Sequence, residues 1–207
     1  MSRKSGVLEL AVLGLLHESP LHGYELSKRL KGVLGPLRAI SYGSLYPCLS
    51  SLQRAGLITT DDSASETGPG RRKKNVYKLT AEGKERLQEQ LAEGGPSAWD
   101  DDAFGVRFAF FAQTDADVRL RILEGRRSRL EERKERASTS LRTREKLDRY
   151  TLELQRHGLE AVEREVRWLN ELIATERDGD AVRPNRVPST TASTATTLGQ
   201  ATEGDHL

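Results

Sequence analysis

Apolar positions in this chain gather into short helical stripes before residue 90 and into long, narrow seams after residue 110. The run VLELAVLGLLH at 7–17 is apolar almost all round, which predicts a helix buried in the middle of a small domain. ESPLHG interrupts it with Pro20 and Gly23. GYELSKRLKGVLG predicts a second helix, with Leu26, Leu30 and Val33 on one face and Lys28, Arg29 and Lys31 elsewhere. Gly35 and Pro36 end it. From 41 to 58 the chain reads SYGSLYPCLSSLQRAGLI. Leu45, Leu49 and Leu52 repeat there at i, i+4 and i+7, and a helical wheel sets Gly43, Tyr46, Pro47, Ser50 and Arg54 opposite them. Ser44 as N-cap places Pro47 at the third helical position, where its missing amide proton has no intrahelical partner to lose. Ala55 and Gly56 close the helix, since glycine tolerates the left-handed conformation that ends many helices. Three short helices between turn signals fit a helix-turn-helix domain. The third buries one side and offers hydroxyls, aromatics and one arginine on the other, as a helix does when it docks on something polar. A buried helix with an ordinary polar back shows the same pattern.

Two short strand-like pieces follow, 57–60 and 75–79, with Tyr77 and Leu79 on one face at the period of two. They read as a β-hairpin with a long tip, DDSASETGPG, and Arg71, Arg72, Lys73 and Lys74 on its return side. Four adjacent cations are usually a solvated loop. Directly after a candidate recognition helix they are placed to neutralise phosphates and release counterions, which makes the hairpin the wing of a winged helix. Thr80 then caps a helix, TAEGKERLQEQLAEGG, with Glu82 in the first turn where the dipole favours a carboxylate. Gly94, Gly95 and Pro96 end it, and SAWDDD reads as a polar, acidic linker.

AFGVRFAFFAQ is the most aromatic segment, with Phe104, Phe108, Phe110 and Phe111. Its length suits two to three helical turns buried between domains or subunits. Such a cluster is more often core than ligand pocket, but a cavity at a dimer interface also suits a small effector. Two long helices follow. The first has Thr114 or Asp115 as N-cap and a seam of Leu120, Leu123 and Leu130. The second carries Leu147, Tyr150, Leu154, Leu159, Val162, Val166, Leu169 and Ile173. Gly158 lies in its middle, a weak point costing about 1 kcal/mol against Ala. Each seam is too narrow for a self-sufficient globule, so the helices are expected to pair with each other and with a second subunit. After Arg177 the chain is Thr, Ser, Ala, Gly and Pro without apolar periodicity, and is expected to be disordered.

Composition agrees. With 36% hydrophobic and 31% charged residues, the 207-residue chain suits long solvated helices better than one large core. The net charge of +2 hides an asymmetry: residues 1–90 hold 14 Lys and Arg against 9 Asp and Glu, and 91–176 hold 16 against 18. The positive excess sits in the half with the candidate recognition helix, which is compatible with nucleic acid. No apolar run approaches the roughly 20 residues of a membrane helix, and 7–17 lacks a secretory cleavage site. Cys48, the one cysteine, forms no internal disulfide and reads as a small buried hydrophobe rather than a reactive thiol. A cytoplasmic protein is expected.

LHGYEL, GSLYPCLSSLQRAGLI and GRRKKNVYKLTAEGKERL follow the order and spacing of the PadR family of bacterial transcriptional regulators, and the chain resembles that family tightly over 7–90. The helix motif at 43–52 and the YxLTxxG run from Tyr77 to Gly83 are specific together. The remainder resembles the longer subgroup, whose C-terminal helices dimerise. The resemblance implies a mainly α fold with a small β-hairpin: an N-terminal winged helix-turn-helix plus a C-terminal long-helix dimerisation domain. It implies a homodimeric regulator, a repressor, on a pseudo-palindromic double-stranded operator, with the recognition helix in the major groove and the wing on the backbone or minor groove. Carried over by motif, Tyr42, Gly43, Ser44, Tyr46, Pro47 and Ser50 sit at the DNA, His22 and Tyr24 start the supporting helix near phosphates, and Arg71, Arg72, Lys73 and Lys74 lie on the wing. The expected division is 1–93 for DNA binding, 94–103 as linker, 104–176 for dimerisation and 177–207 as tail.

Positive signs of enzyme chemistry are absent. His17, His22, His157 and His206 stand in no zinc-like spacing, and there is no Gly-rich phosphate loop or GxSxG elbow. Asp100, Asp101 and Asp102 have the type of a divalent site, but three carboxylates in a linker are more often solvated charge. No cofactor is expected. A second reading, a winged helix turned to protein–protein contacts, leaves the four wing cations without a purpose, and early elution from heparin would favour it. A third adds sensing of a small aromatic effector by Trp99, Phe104, Phe108 and Phe111, with Trp168 across the interface.

Overall fold

The computed structural model describes residues 3–34, 42–61, 75–143 and 148–181. Helix α1 (Arg3–Glu18) is the axis of the first half. Leu10, Ala11, Val12, Leu13, Leu15 and Leu16 are all buried, because α2 (Gly23–Leu34), α3 (Tyr42–Arg54) and α4 (Ala81–Ala92) pack around it. An all-round apolar helix has no other stable place.

The sheet has one strand more than the predicted hairpin. β2 (Ile58–Asp61) and β3 (Val76–Leu79) pair antiparallel, Ile58 opposite Leu79 and Asp61 opposite Val76. β1 (Leu21–His22) adds to the other side of β3, Leu21 opposite Tyr77 and His22 opposite Val76, giving the order β1-β3-β2. Two residues between Pro20 and Gly23 are too few to show alternation, so pattern alone missed them. Helix, strand, helix, helix and hairpin in this order make a winged helix.

Local chemistry fixes the joints. Gly56 has φ +73°, and the Gly56 and Leu57 amides donate to the carbonyls of Gln53 at 3.1 Å and Leu52 at 3.0 Å, the paired bonds of a Schellman end. The Thr80 hydroxyl accepts from the Gly83 amide at 3.0 Å and donates to the Gly56 carbonyl at 2.7 Å, so one residue caps α4 and fastens it to the end of α3. The start of α3 differs from expectation. The helix begins at Tyr42, so Ser44 lies in its first turn rather than at the cap, and Pro47 lies inside it. Proline there removes the donor that the Gly43 carbonyl would have met.

After α4 the chain runs through a 3-10 turn at Pro96–Ala98, α5 (Phe104–Ala109) and a second 3-10 turn at Phe111–Gln113 into α6 (Ala116–Thr143) and α7 (Arg149–Ala181). Val106 and Phe110 are buried in the winged-helix core, whereas Ala98, Phe104, Val118, Ile122, Leu123, Leu130, Leu169 and Ile173 form a second core along α6 and α7. Asp115 stands at the N-cap of α6, its carbonyl accepting from Val118 and Arg119. Asp148 caps α7 through the amides of Tyr150 at 2.9 Å and Thr151 at 3.1 Å. Beyond that cap the start of α7 is uncovered: Tyr150 and Leu154 are 82% and 71% exposed, although the seam predicts them buried. Helix α7 continues through Ala181, and the rest of the expected tail, 182–207, lies outside the described residues.

Residues 94–103 are fastened to α6 at several points. Ala98 is fully buried, and Arg126, itself buried, donates to the Trp99 carbonyl at 3.2 Å and pairs with Asp101 and with Glu165 at 2.8 Å. Asp100 pairs with Arg129. Asp100 and Asp101 are therefore paired with arginines of α6. The Arg126 hydrogen bond, aided by the charges of Arg126, Arg129 and Arg133, holds the Asp101 carboxyl below its ordinary range.

Candidate nucleic-acid interface

The two faces of α3 are as distinct as its spacing predicts. Leu45, Leu49 and Leu52 are at most 3% exposed, and Gly43, Ser44, Tyr46, Pro47, Ser50 and Arg54 face outward. Burying three leucines anchors the helix by about 1.5–3 kcal/mol each. Gln53 Nε2 donates to Thr60 Oγ1 at 3.2 Å, tying α3 to the first wing strand. Arg54 Nε donates to the Ser50 carbonyl at 3.2 Å.

A second exposed aromatic stands at the start of α2: Tyr24 is 70% exposed and Tyr46 48%, high for such large rings. The start of α2 meets α3 and β3 at Gly23, where a Cβ would lie in ordinary contact, 3.7 Å from the Tyr46 hydroxyl oxygen and 3.4 Å from the Tyr77 ring. Tyr77 is the buried member of this group. Burial pushes its phenol above the usual range, a hydrogen bond with Asn75 opposes that, and nearby Tyr46 adds to it. His22 begins this corner from β1, and its Nδ1 is buried with no hydrogen-bond partner among the described residues. The structure thus brings the Gly23 end of α2 to Tyr46 of α3 and Tyr77 of β3, with His22 at the adjoining end of β1, while Gly43, Ser44, Pro47 and Ser50 share the exposed side of α3. Tyr42 opens α3, but its side chain lies outside the described residues, as do Arg71, Arg72, Lys73 and Lys74. Gly23 and Gln53 were missed by sequence reasoning. Gln53 was reachable, since it lies three residues from Ser50 on the polar side.

Cys48 stays with the core, half-buried on α3. Burial, with a smaller contribution from Glu9, pushes its thiol from the ordinary 9.0 up to about 11. Only the thiolate attacks electrophiles, so alkylation at pH 8 is expected to be far slower than for a free thiol. The sign for stability follows. A pKa raised on folding contributes stability that is full below pH 9 and lost as pH rises through about 11, so chemical melts should weaken over that window and Cys48→Ala should flatten the loss.

The five aromatic residues considered for an effector do not form one pocket. Phe104, Phe108, Phe111 and Trp168 pack on one another with centroids 4.9–6.2 Å apart. Trp168 therefore meets phenylalanines of its own subunit. Trp99 packs instead against Gly125 of α6. Open space lies elsewhere, in a cleft of about 640 Å³ between the start of α1, the end of α4 and residues 97–103, lined by Glu9, Arg86, Gln90, Asp101, Arg107 and Arg129 among others. Among the described residues no group of His, Cys, Asp and Glu is arranged to hold a metal ion, and no helix is long and apolar enough to cross a membrane.

A helix-turn-helix with a wing and an outward aromatic face on its third helix defines a class of nucleic-acid-binding domain. Residues 12–89 match the transcriptional regulator PadR-like family. The chain is 33% identical over 90 residues to the negative transcriptional regulator PadR of Bacillus subtilis (strain 168), covering 44% of this chain and 48% of the relative. The match thus spans about half of that relative's length. Among solved structures it is similar to Bacillus subtilis PadR in complex with operator DNA (23% identity, 82% of this chain and 99% of that chain, TM-score 0.40). It is also similar to the same protein in complex with p-coumaric acid (23%, 83% and 99%, TM-score 0.37).

Proposed function

We propose that this protein is a homodimeric, sequence-specific DNA-binding repressor acting in the cytoplasm, not an enzyme. In this reading 1–93 bind a pseudo-palindromic operator, 104–176 dimerise, 94–103 connect them and 177–207 form the tail. The carrying observation is the outward face of α3: Tyr46 stands exposed while three leucines fasten the helix from behind. His22, Tyr24 and the wing cations Arg71, Arg72, Lys73 and Lys74 supply phosphate contacts, and the side chains of Tyr42, Ser44, Tyr46, Pro47 and Ser50, with Gly43 allowing close approach, meet the groove. The uncovered start of α7, with Tyr150 and Leu154, supports a second copy as partner.

The test is a gel-shift series across salt concentrations. Arg71→Ala, Arg72→Ala and Lys73→Ala are each expected to lower the salt slope by about one unit, with little change in discrimination. Slopes equal to the unsubstituted protein would contradict the phosphate role. A small aromatic effector relieves binding in this reading. The relative bound to p-coumaric acid supports the ligand class, and the cleft lined by Arg86, Gln90, Arg107 and Arg129 supplies the room and the cations for a carboxylate. Repeating the series with planar aromatic acids should release the DNA; an unmoved shift across the panel argues against an effector of that kind.

A further inference from the structure

The stretch that joins the winged helix to α6 is fastened at both ends. On one side Phe110, 2% exposed, lays its ring on Gly14 of α1, where a Cβ would stand 2.4 Å from Cε1 and 2.5 Å from Cζ. Three residues earlier, buried Arg107 reaches the end of α4. Its Nη1 donates to the carbonyls of Gln90 at 2.6 Å and Glu93 at 2.9 Å, and its Nη2 pairs with Glu93 Oε2 at 3.0 Å. A cation on the last carbonyls of a helix is held by hydrogen bonds and by the helix dipole together. On the other side the Trp99 ring covers Gly125 of α6, where a Cβ would stand 2.5 Å away, and Arg119 Nη1 of α6 donates to the Thr114 carbonyl at 2.7 Å. Glycines at 14 and 125 are the two places where this stretch needs a missing side chain.

We propose that the seat of Phe110 on Gly14, braced by Arg107 on the end of α4, sets the distance between the two α3 helices of the dimer and so the half-site spacing the protein accepts. This rests on the reading as a dimeric DNA-binding regulator. α3 shares one close-packed core with α1, while the uncovered face sits on α7, which packs on α6. Close-packed interiors pass displacement on rather than absorb it. Restoring ordinary contact at position 14 moves the ring by about 1 Å, so the two subunits together shift by about 2 Å or more.

The experiment places a spin label at exposed Gln88 of α4, as Gln88→Cys in a Cys48→Ala background, and measures the distance between labels in the full-length dimer without DNA. Gly14→Ala should move the mean distance, and adding Phe110→Leu, which removes Cε1 and Cζ, should bring it back. The same three proteins are then offered operators with spacers of different length, and the preferred spacer should change and return with the distance. Should Gly14→Ala not fold, Arg107→Gln tests the same joint and should broaden the distance distribution. An unmoved mean with an unbroadened Arg107→Gln distribution overturns the proposal, as does a monomer. Distances that move without any operator being selected leave the joint standing and defeat the DNA reading. A selected operator with unmoved distances does the reverse.

Discussion

Replacing Gly83 with Ala should cost the winged helix about 3 kcal/mol, the upper end for overpacking, or prevent folding altogether. Gly83 is the third residue of α4, and its amide donates to the capping hydroxyl of Thr80 at 3.0 Å. A Cβ at this position would fall 2.0 Å from the Leu57 carbonyl oxygen, 3.0 Å from the carbon behind it and 2.8 Å from Leu79 Cδ1. The nearest obstacle is backbone, and that backbone is committed: the Leu57 carbonyl accepts from the Thr80 amide at 3.2 Å, and the Leu57 amide closes α3. No flexible side chain yields. Gly105→Ala is the matched control, because it lies in α5 with open space around its Cβ and should be neutral or slightly stabilising. Urea melts of the two variants give the comparison. A Gly83→Ala midpoint equal to the unsubstituted protein would mean that α4 does not approach the start of β2 as described.

Removing the Tyr46 ring should lower discrimination between operator and random DNA by 10- to 100-fold, about 1–3 kcal/mol, while leaving stability nearly unchanged. Both halves follow from its place. Tyr46 is half exposed and opposite the leucine stripe, so little of the core depends on it. It also lies on the outward side of α3, where a helix in the major groove meets base edges. Anisotropy titrations of Tyr46→Ala against both DNA types check this. A discrimination ratio equal to that of the unsubstituted protein would remove Tyr46 from the contact surface.

Short-range regularities were legible in the sequence, and contacts between distant segments were not. The spacing of Leu45, Leu49 and Leu52 placed the buried and outward faces of α3, and Gly56 and Thr80 marked its end and the next cap, because each acts on neighbours a few residues away. β1 escaped notice since two residues carry no period and earn their place only by pairing with Val76 and Tyr77. The bounds of α3 were misjudged because proline was assumed to require the first turn, whereas tertiary anchoring by the three leucines tolerates Pro47 further inside. Phe110 looked like its three aromatic neighbours, yet it alone of the four is in the winged-helix core, on account of Gly14 nearly a hundred residues away. Asp100 and Asp101 looked solvated for the same reason: Arg126 and Arg129, which hold them, become neighbours only once α6 is packed.

The account stands on two copies of α3 turning their outward faces to one DNA duplex, and selection from a random duplex library by the full-length protein tests that most directly. The recovered sequences should contain an inverted repeat whose half-sites are centred one helical turn apart, roughly 34–36 Å, and Tyr46→Ala should blur the repeat without abolishing binding. Recovery of no repeat, or of single unpaired sites bound equally well by Tyr46→Ala, would contradict it.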